Sequence, residues 1–102
     1  MIWYKNLYLG TRAFEQQDTL LRSLKHKKWI PGVYVITLPA NPSNMLDIYE
    51  TTQFLQPSMK KMNLKAVGVA IGKEEALSLV ETMVDDIYQN TGGFDFEKFL
   101  NI

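Results

Sequence analysis

Two apolar stretches, GVYVITLPA (Gly32–Ala40) and LKAVGVAIG (Leu64–Gly72), decide the fold expected for this chain. Each is a nearly continuous run of β-branched and small apolar residues, which is typical of strands buried on both faces. Each is followed by a stretch of helical character, Ser43–Met62 after the first and Lys73–Asn90 after the second. This β-α-β-α order predicts a small α/β domain with two parallel strands.

The two helical stretches differ in how clearly they are marked. Residues 43–62 have apolar side chains at helical steps, and Pro57 predicts a kink there or the start of a new helix. Residues 73–90 have the strictest helical period, and the sequence Asn90–Gly93 is a typical helix end. The stripe expected to be buried in this second helix is Ala76, Leu77, Val80, Met83, Val84, Ile87 and Tyr88.

The residues before Gly32 add a third unit. Residues 4–9 are aromatic and β-prone and predict a strand, although Trp3 and Leu7 also stand at helical spacing, which leaves a helical start as the alternative. Residues 12–28 lack glycine and proline and predict one helix with Phe14 near its apolar face. With the first strand, the order becomes β-α-β-α-β-α, a short, mainly parallel sheet with helices packed on it.

The composition is that of one globular domain over residues 1–102. The chain is 46% apolar and 22% charged, and it contains no cysteine, which excludes disulfides, thiolate nucleophiles and cysteine-ligated metals. No apolar run approaches the roughly 20 residues of a membrane helix, and the first residues lack a signal-peptide pattern. We therefore expect a cytoplasmic protein that does not enter a membrane.

Charge is unevenly distributed along a chain whose net charge is zero. Residues 1–30 carry six basic and two acidic side chains, and residues 31–102 carry five basic and nine acidic ones. The cluster Arg22, Lys25, Lys27 and Lys28 precedes Trp29, a combination that single-strand nucleic-acid binders use. Such binders usually have a basic excess over the whole domain, so we do not expect functional nucleic-acid binding here.

The ends of the two apolar strands provide a candidate ligand site. Ligands of parallel α/β sheets bind beyond the carboxyl ends of the strands, and polar groups at a helix start can hold a small anion. The residues concerned are Thr37, Asn41, Ser43, Asn44 and Lys73. Ordinary helix capping needs the same residue types and is the alternative interpretation. Neither glycine-rich phosphate motif is present, and Glu74 and Glu75 disfavour a phosphate beside Lys73.

Catalytic and metal chemistry find no support in the sequence. The single histidine, His26, lies within KHKK with no orienting acid beside it. The pair Asp85 and Asp86 is more typical of a solvated helix face than of a metal site. We therefore assign no catalytic or metal-binding residue and expect no cofactor.

Aromatic side chains at both termini predict self-association. The residues are Trp3 and Tyr4 at the amino end and Phe94, Phe96 and Phe99 in the tail 94–102. Three short strands provide little surface to cover them, so we expect a homodimer that uses these residues, with the tail docked on its own core as the alternative. Asp95 can cap the tail as a short helix.

Two classes of function remain. The first, which we prefer, is a non-catalytic interaction module or homo-oligomeric subunit, with a second copy or another protein as its partner. The alternative is a small polar-ligand binder or enzyme at the strand ends, and a second alternative is weak nucleic-acid binding through residues 22–29.

Overall fold

A four-stranded mixed sheet forms the centre of the domain in a computed structural model, which describes every residue except Pro42 and Ile102. The strands are β1 (Ile2–Leu9), β2 (Val33–Thr37), β3 (Asp47–Glu50) and β4 (Lys65–Ile71), in the spatial order β1-β4-β2-β3. The helices are α1 (Thr11–Glu15), α2 (Gln17–Lys25), a 3-10 helix (Thr51–Leu55), α3 (Pro57–Lys60), α4 (Lys73–Thr91) and α5 (Phe96–Leu100).

The predicted α/β class agrees with this architecture, but the mainly parallel sheet does not. Only β1 and β4 pair in parallel, while β2 is antiparallel to both of its neighbours, β3 and β4. The reason lies in residues 43–62, which contain β3, the 3-10 helix and α3 instead of one helix. Because β3 returns along β2 as a hairpin, the two apolar strands run in opposite directions.

Helices cover both faces of the sheet, which explains why the central strands are so uniformly apolar. On one face α4 and α5 pack on side chains that include Ile36, Leu38, Val67 and Ala70. On the other face Ala13, Leu20 and Leu24 of α1 and α2, together with Phe54 of the 3-10 helix, pack on Val33, Val35, Ala66 and Val69. The fold is thus a three-layer α/β/α arrangement.

Gly68 lies at an irregular point of the sheet beside α4. The pairing of β4 with β2 shifts by one residue at this point, between the pairs Ile36–Gly68 and Thr37–Ala66. A Cβ on Gly68 would lie 3.4 Å from Ile36 Cβ and 3.4 Å from Met83 Sδ. A methyl group here would make ordinary van der Waals contacts, and Ala66 and Ala70 of the same strand are fully buried, one on each face of the sheet.

The burial predicted from periodicity is correct at the centre of the domain and wrong at its margins. Val35, Ile36, Val69, Met83 and Ile87 are fully buried. By contrast, Phe14 is 61% exposed and Leu77 is 48% exposed. The predicted helix 12–28 is interrupted at Gln16, whose backbone is not helical and which separates α1 from α2, so the single helical stripe that included Phe14 does not form.

Glu75 fastens the start of α4 to the start of α1. Its carboxylate accepts hydrogen bonds from the backbone N–H groups of Arg12 (2.7 Å), Ala13 (3.4 Å) and Ile71 (2.7 Å). A Cβ at Gly10 would collide with this side chain, so a larger residue there would displace the Glu75 carboxylate from its hydrogen bonds. Among the described residues, no helix combines the length and the apolar character needed to cross a lipid bilayer.

Candidate functional site

The residues predicted at the strand ends do not come together in one site. Because β2 and β4 are antiparallel, their carboxyl ends lie at opposite ends of the strand pair. The end of β2 leads to Asn41, Ser43 and Asn44, and the end of β4 leads to Lys73 on the opposite side. The Gly72 N–H donates to the Gly32 carbonyl (2.8 Å), which places Lys73 beside the beginning of β2. The parallel geometry on which the predicted site depended is absent from this pair of strands.

The polar residues after β2 hold their own loop. The Asn41 Oδ1 accepts hydrogen bonds from the Ser43 N–H (3.0 Å) and the Ser43 hydroxyl (2.9 Å), and Asn44 Nδ2 donates to Asp47 Oδ1 (3.1 Å). No helix begins here in the described part of the chain, so these residues stabilise a turn and not a helix start. Thr37 is fully buried, and its hydroxyl has no hydrogen-bond partner among the described residues.

The aromatic residues predicted for an interface have different environments. Phe96 is 3% exposed and lies in the core of its own domain, so the docked tail, the alternative for this segment, holds for Phe96. Trp3, Tyr4 and Phe99 are partly buried against the two core clusters. Phe94 alone of the five is largely exposed, at 48%. The Asp95 side chain accepts from the Lys98 N–H (3.1 Å), which confirms its predicted capping role.

Phe94 belongs to a larger apolar surface, which we call the outer face of α4. It consists of Leu77, Val80, Val84, Tyr88 and Phe94, bordered by Glu81 and Asp85. The rings of Tyr88 and Phe94 are stacked, with centroids 5.4 Å apart and planes inclined by 19°. At about 100° per residue along α4, the helical positions of this face lie on the side opposite to Glu75 and Asp86.

Asp86 is engaged in a structural contact. The Tyr8 hydroxyl donates to Asp86 Oδ2 at 2.5 Å and thereby fastens the edge strand β1 to α4. Burial raises the pKa of Tyr8 far above its ordinary value of 10, and the bond to Asp86 raises it further. Tyr8 therefore remains a hydrogen-bond donor at every physiological pH. Within the described residues, no three histidine or carboxylate side chains are grouped as a metal ion would need.

The second surface is a pocket of about 480 Å³ on the opposite face of the sheet, which we call the basic cleft. Its floor contains Trp3, Leu24, Trp29, Phe54 and Leu64. Leu55, Met59 and Met62 form its apolar walls, and Lys25, Lys27 and Lys60 also line it. Among the described residues, no acidic side chain lines this cleft.

Hydrogen bonds from the 3-10 helix position Trp29 in the cleft. The Thr51 hydroxyl donates to the Ile30 carbonyl (2.6 Å) and accepts from the Ile30 N–H (3.0 Å), and it is fully buried. Glu50 accepts from the Gly32 N–H (2.9 Å) and joins Gln53 in a capping box. The loop 29–32 is thus held against the 3-10 helix, and the ring of Trp29 packs on Phe54 with centroids 5.0 Å apart.

Lys27 reaches the cleft from an unusual backbone conformation. It has φ of +60°, in the left-handed region that favours glycine. Its N–H donates to the Leu24 carbonyl (2.9 Å), and the next N–H, of Lys28, donates to the Ser23 carbonyl (2.9 Å). These bonds form a Schellman motif at the end of α2, in which glycine is the usual residue. A lysine at this position carries a conformational cost that the helix end does not require.

Sequence reasoning identified only one part of the cleft. It grouped Lys25, Lys27 and Trp29, but it treated them as a stripe for nucleic acid. In the structure Trp29 packs on Phe54 and lines the cleft together with Lys25 and Lys27. The opposite wall comes from residues 54–64, and no sequence signal connects it with α2.

No protein-family model, no curated protein and no solved structure matches this chain.

Proposed function

We propose that the protein is a non-catalytic interaction module that assembles as a homodimer through the outer face of α4. The observation that carries this proposal is the exposure of three large apolar side chains on one side of a long helix. Leu77, Tyr88 and Phe94 are each 48–50% exposed, and they continue the half-buried side chains of Val80 and Val84. A contiguous apolar surface of this kind typically marks an interaction site.

Apolar burial outweighs charge repulsion in such a dimer. Covering the exposed half of Leu77, Tyr88 and Phe94 contributes about 1 kcal/mol for each side chain, or roughly 6 kcal/mol for two copies. Across a twofold axis, Glu81 and Asp85 meet their own copies, but exposed like-charge pairs cost only a few tenths of a kcal/mol each. The loss of rigid-body freedom consumes most of the apolar term, so we expect a weak dimer.

The edges of the sheet support assembly through α4 and not through strand pairing. In β1 the pairing with β4 breaks between Trp3 and Tyr8, and the exposed Lys5 lies in this irregular segment. The other edge strand, β3, has only four residues. Bulges, edge lysines and short edge strands all discourage the addition of a further strand.

Sedimentation equilibrium at tens of micromolar and above tests the proposal. The wild-type protein should dimerise, and the double variant Tyr88→Ser/Phe94→Ser should be monomeric with its fold retained. Phe14→Ser is the matched control, because it also removes an exposed aromatic ring but lies on α1. A wild-type protein that stays monomeric over the whole range contradicts the proposal, as does a dimer that survives in the double variant.

Ionic strength distinguishes a symmetric contact between two outer faces of α4 from a contact between oppositely charged surfaces of the two copies. Repulsion among Glu81, Asp85 and their copies is screened as the Debye length falls from about 30 Å at 0.01 M salt to about 8 Å at 0.15 M. The dimer should therefore tighten when salt is added. Weakening with salt would mean that opposite charges hold the two copies together, and the symmetric contact through the outer face of α4 would then be wrong.

The other proposed functions receive less support. A polar-ligand site at the strand ends would have to work without Lys73, which lies at the opposite end of the strand pair from Asn41. Nucleic-acid binding through residues 22–29 would have to use a tryptophan already packed on Phe54. A cytoplasmic location is part of our proposal and is supported by the absence of cysteine.

A further inference from the structure

We propose that the basic cleft binds a long-chain carboxylate, with the alkyl chain on the apolar floor and the carboxylate among the lysines. The site is separate from the proposed dimer surface, since the cleft and the outer face of α4 share no residue and lie on opposite faces of the sheet. It therefore adds a ligand-binding activity that does not depend on the dimer.

The walls of the cleft suit an alkyl chain. Its volume of about 480 Å³ falls within the range of small-molecule sites, roughly 300–1,000 Å³. Trp3, Trp29 and Phe54 provide flat apolar surface, and Met59 and Met62 provide adaptable side chains that fit an irregular chain. A sugar or nucleoside would leave hydroxyl groups unpaired against this floor, whereas an alkyl chain needs no hydrogen bonds.

The charges of the cleft select the headgroup. Lys25 and Lys27 extend from the end of α2 and Lys60 from α3, so cations line the cleft from two sides. All three are exposed, and the ammonium group of each can donate to a carboxylate oxygen. Because no described acidic residue lines the cleft, an ammonium headgroup would be repelled and an uncharged one would gain nothing from the lysines.

Intrinsic fluorescence provides a direct measurement of binding. Trp3 and Trp29 are the only tryptophans of the chain, and both line the cleft, so all tryptophan emission reports on its occupation. The protein is titrated with octanoate, decanoate and dodecanoate below their micellar concentrations. We expect a saturable change, with the Kd tightening about fourfold for each added methylene, and a bound-state Tm above that of the free protein.

Probes that differ in headgroup charge, together with lysine variants, distinguish the proposed site from nonspecific apolar binding. Dodecanol and dodecyltrimethylammonium should bind at least about tenfold more weakly than dodecanoate. The triple variant Lys25→Gln/Lys27→Gln/Lys60→Gln should lose this preference for the carboxylate while its binding of dodecanol is unchanged. Lys5→Gln/Lys73→Gln/Lys98→Gln, which removes three exposed lysines outside the cleft, should bind dodecanoate as the wild type does.

Three results would overturn the inference. They are the absence of a saturable tryptophan signal, equal affinity for dodecanoate and dodecanol, and an equal loss of affinity in the two triple variants. Thermal melting of each variant without ligand shows that it remains folded, so a loss of binding cannot be attributed to unfolding. The dimer proposal is unaffected by any of these results, because its residues lie outside the cleft.

Discussion

At the scale of single residues, Lys27 affects both the stability of the domain and the binding of a carboxylate in the basic cleft. Its left-handed conformation destabilises the folded state by about 1–2 kcal/mol when the residue is a lysine. Glycine avoids this strain, but it also increases the entropy of the unfolded chain, which offsets part of the gain. Lys27→Gly should therefore stabilise the domain by about 0.5–1 kcal/mol, which corresponds to a rise in Tm of several degrees. The same change removes a cleft lysine and should weaken dodecanoate binding.

The neighbouring lysine is the control for this prediction. Lys28 has no positive φ, so Lys28→Gly gains no relief and should leave the domain equal to or less stable than the wild type. Thermal unfolding followed by circular dichroism compares the two variants. If Lys27→Gly melts no higher than Lys28→Gly, the backbone at residue 27 carries no strain and this explanation fails.

Glu75 gives the stability of the domain an acid limit. Burial raises the pKa of its carboxyl, but the backbone N–H groups of Ile71, Arg12 and Ala13 and the guanidinium of Arg12 outweigh burial and lower it below 4.5. Because the pKa is lower in the folded state, the stabilisation is complete above the unfolded-state value and is lost as the pH falls through the folded one.

Glu75→Gln tests this pH dependence by urea unfolding between neutral and acidic pH. At neutral pH we expect the free energy of unfolding to fall by about 1–3 kcal/mol. The Glu75 side chain is only 12% exposed, and its replacement by glutamine leaves the N–H donors around it without a charged acceptor. The difference from the wild type should shrink as the pH falls through the lowered pKa of Glu75. The exposed neighbour provides the control, since Glu74→Gln should change stability little at any pH.

At the scale of elements, local pattern was sufficient where an element is covered on both sides. The sequence predicts β2, β4 and α4 because their apolar residues contact other elements along most of their length. It fails over residues 43–62, where Ile48 and Tyr49 fit a helical stripe equally well. Pairing of β3 with Tyr34–Thr37 outweighs that local preference, because β3 completes hydrogen bonds that β2 would otherwise expose.

The candidate surfaces were harder to foresee than the elements. Leu77 and Tyr88 belong to a good helical stripe, but only the packing of α4 on a narrow sheet leaves them uncovered. The basic cleft unites Met1 with residues up to Leu64 that belong to four separate elements and to two of the loops between them. Composition alone indicates the cations and the aromatic rings, whereas their convergence depends on the antiparallel turn of the chain at β3.

At the scale of the whole molecule, the sheet pairs the first strand of the sequence with the last one. β4 lies between β1 and β2, although its residues, 65–71, come after all the other strands in the sequence. The first strand therefore pairs only with residues 60 or more positions later, as in the pairs Ile2–Lys65 and Tyr8–Gly68. In folds dominated by such distant contacts, the entropy of loop closure is lost before the stabilising contacts form, so folding is slow.

The position of β4 has a consequence for the protein during its synthesis on the ribosome. Until residues 65–71 have left the exit tunnel, β1 has no partner and β2–β3 is an isolated hairpin, which is marginally stable in water. A nascent chain that ends at residue 63 should remain unstructured and sensitive to protease, and protection should appear abruptly once β4 and α4 are available. Pulse proteolysis of arrested chains of increasing length measures this point; gradual protection from residue 40 onward would contradict it. The emergence of this central strand would thus be the step that commits the whole chain to its fold.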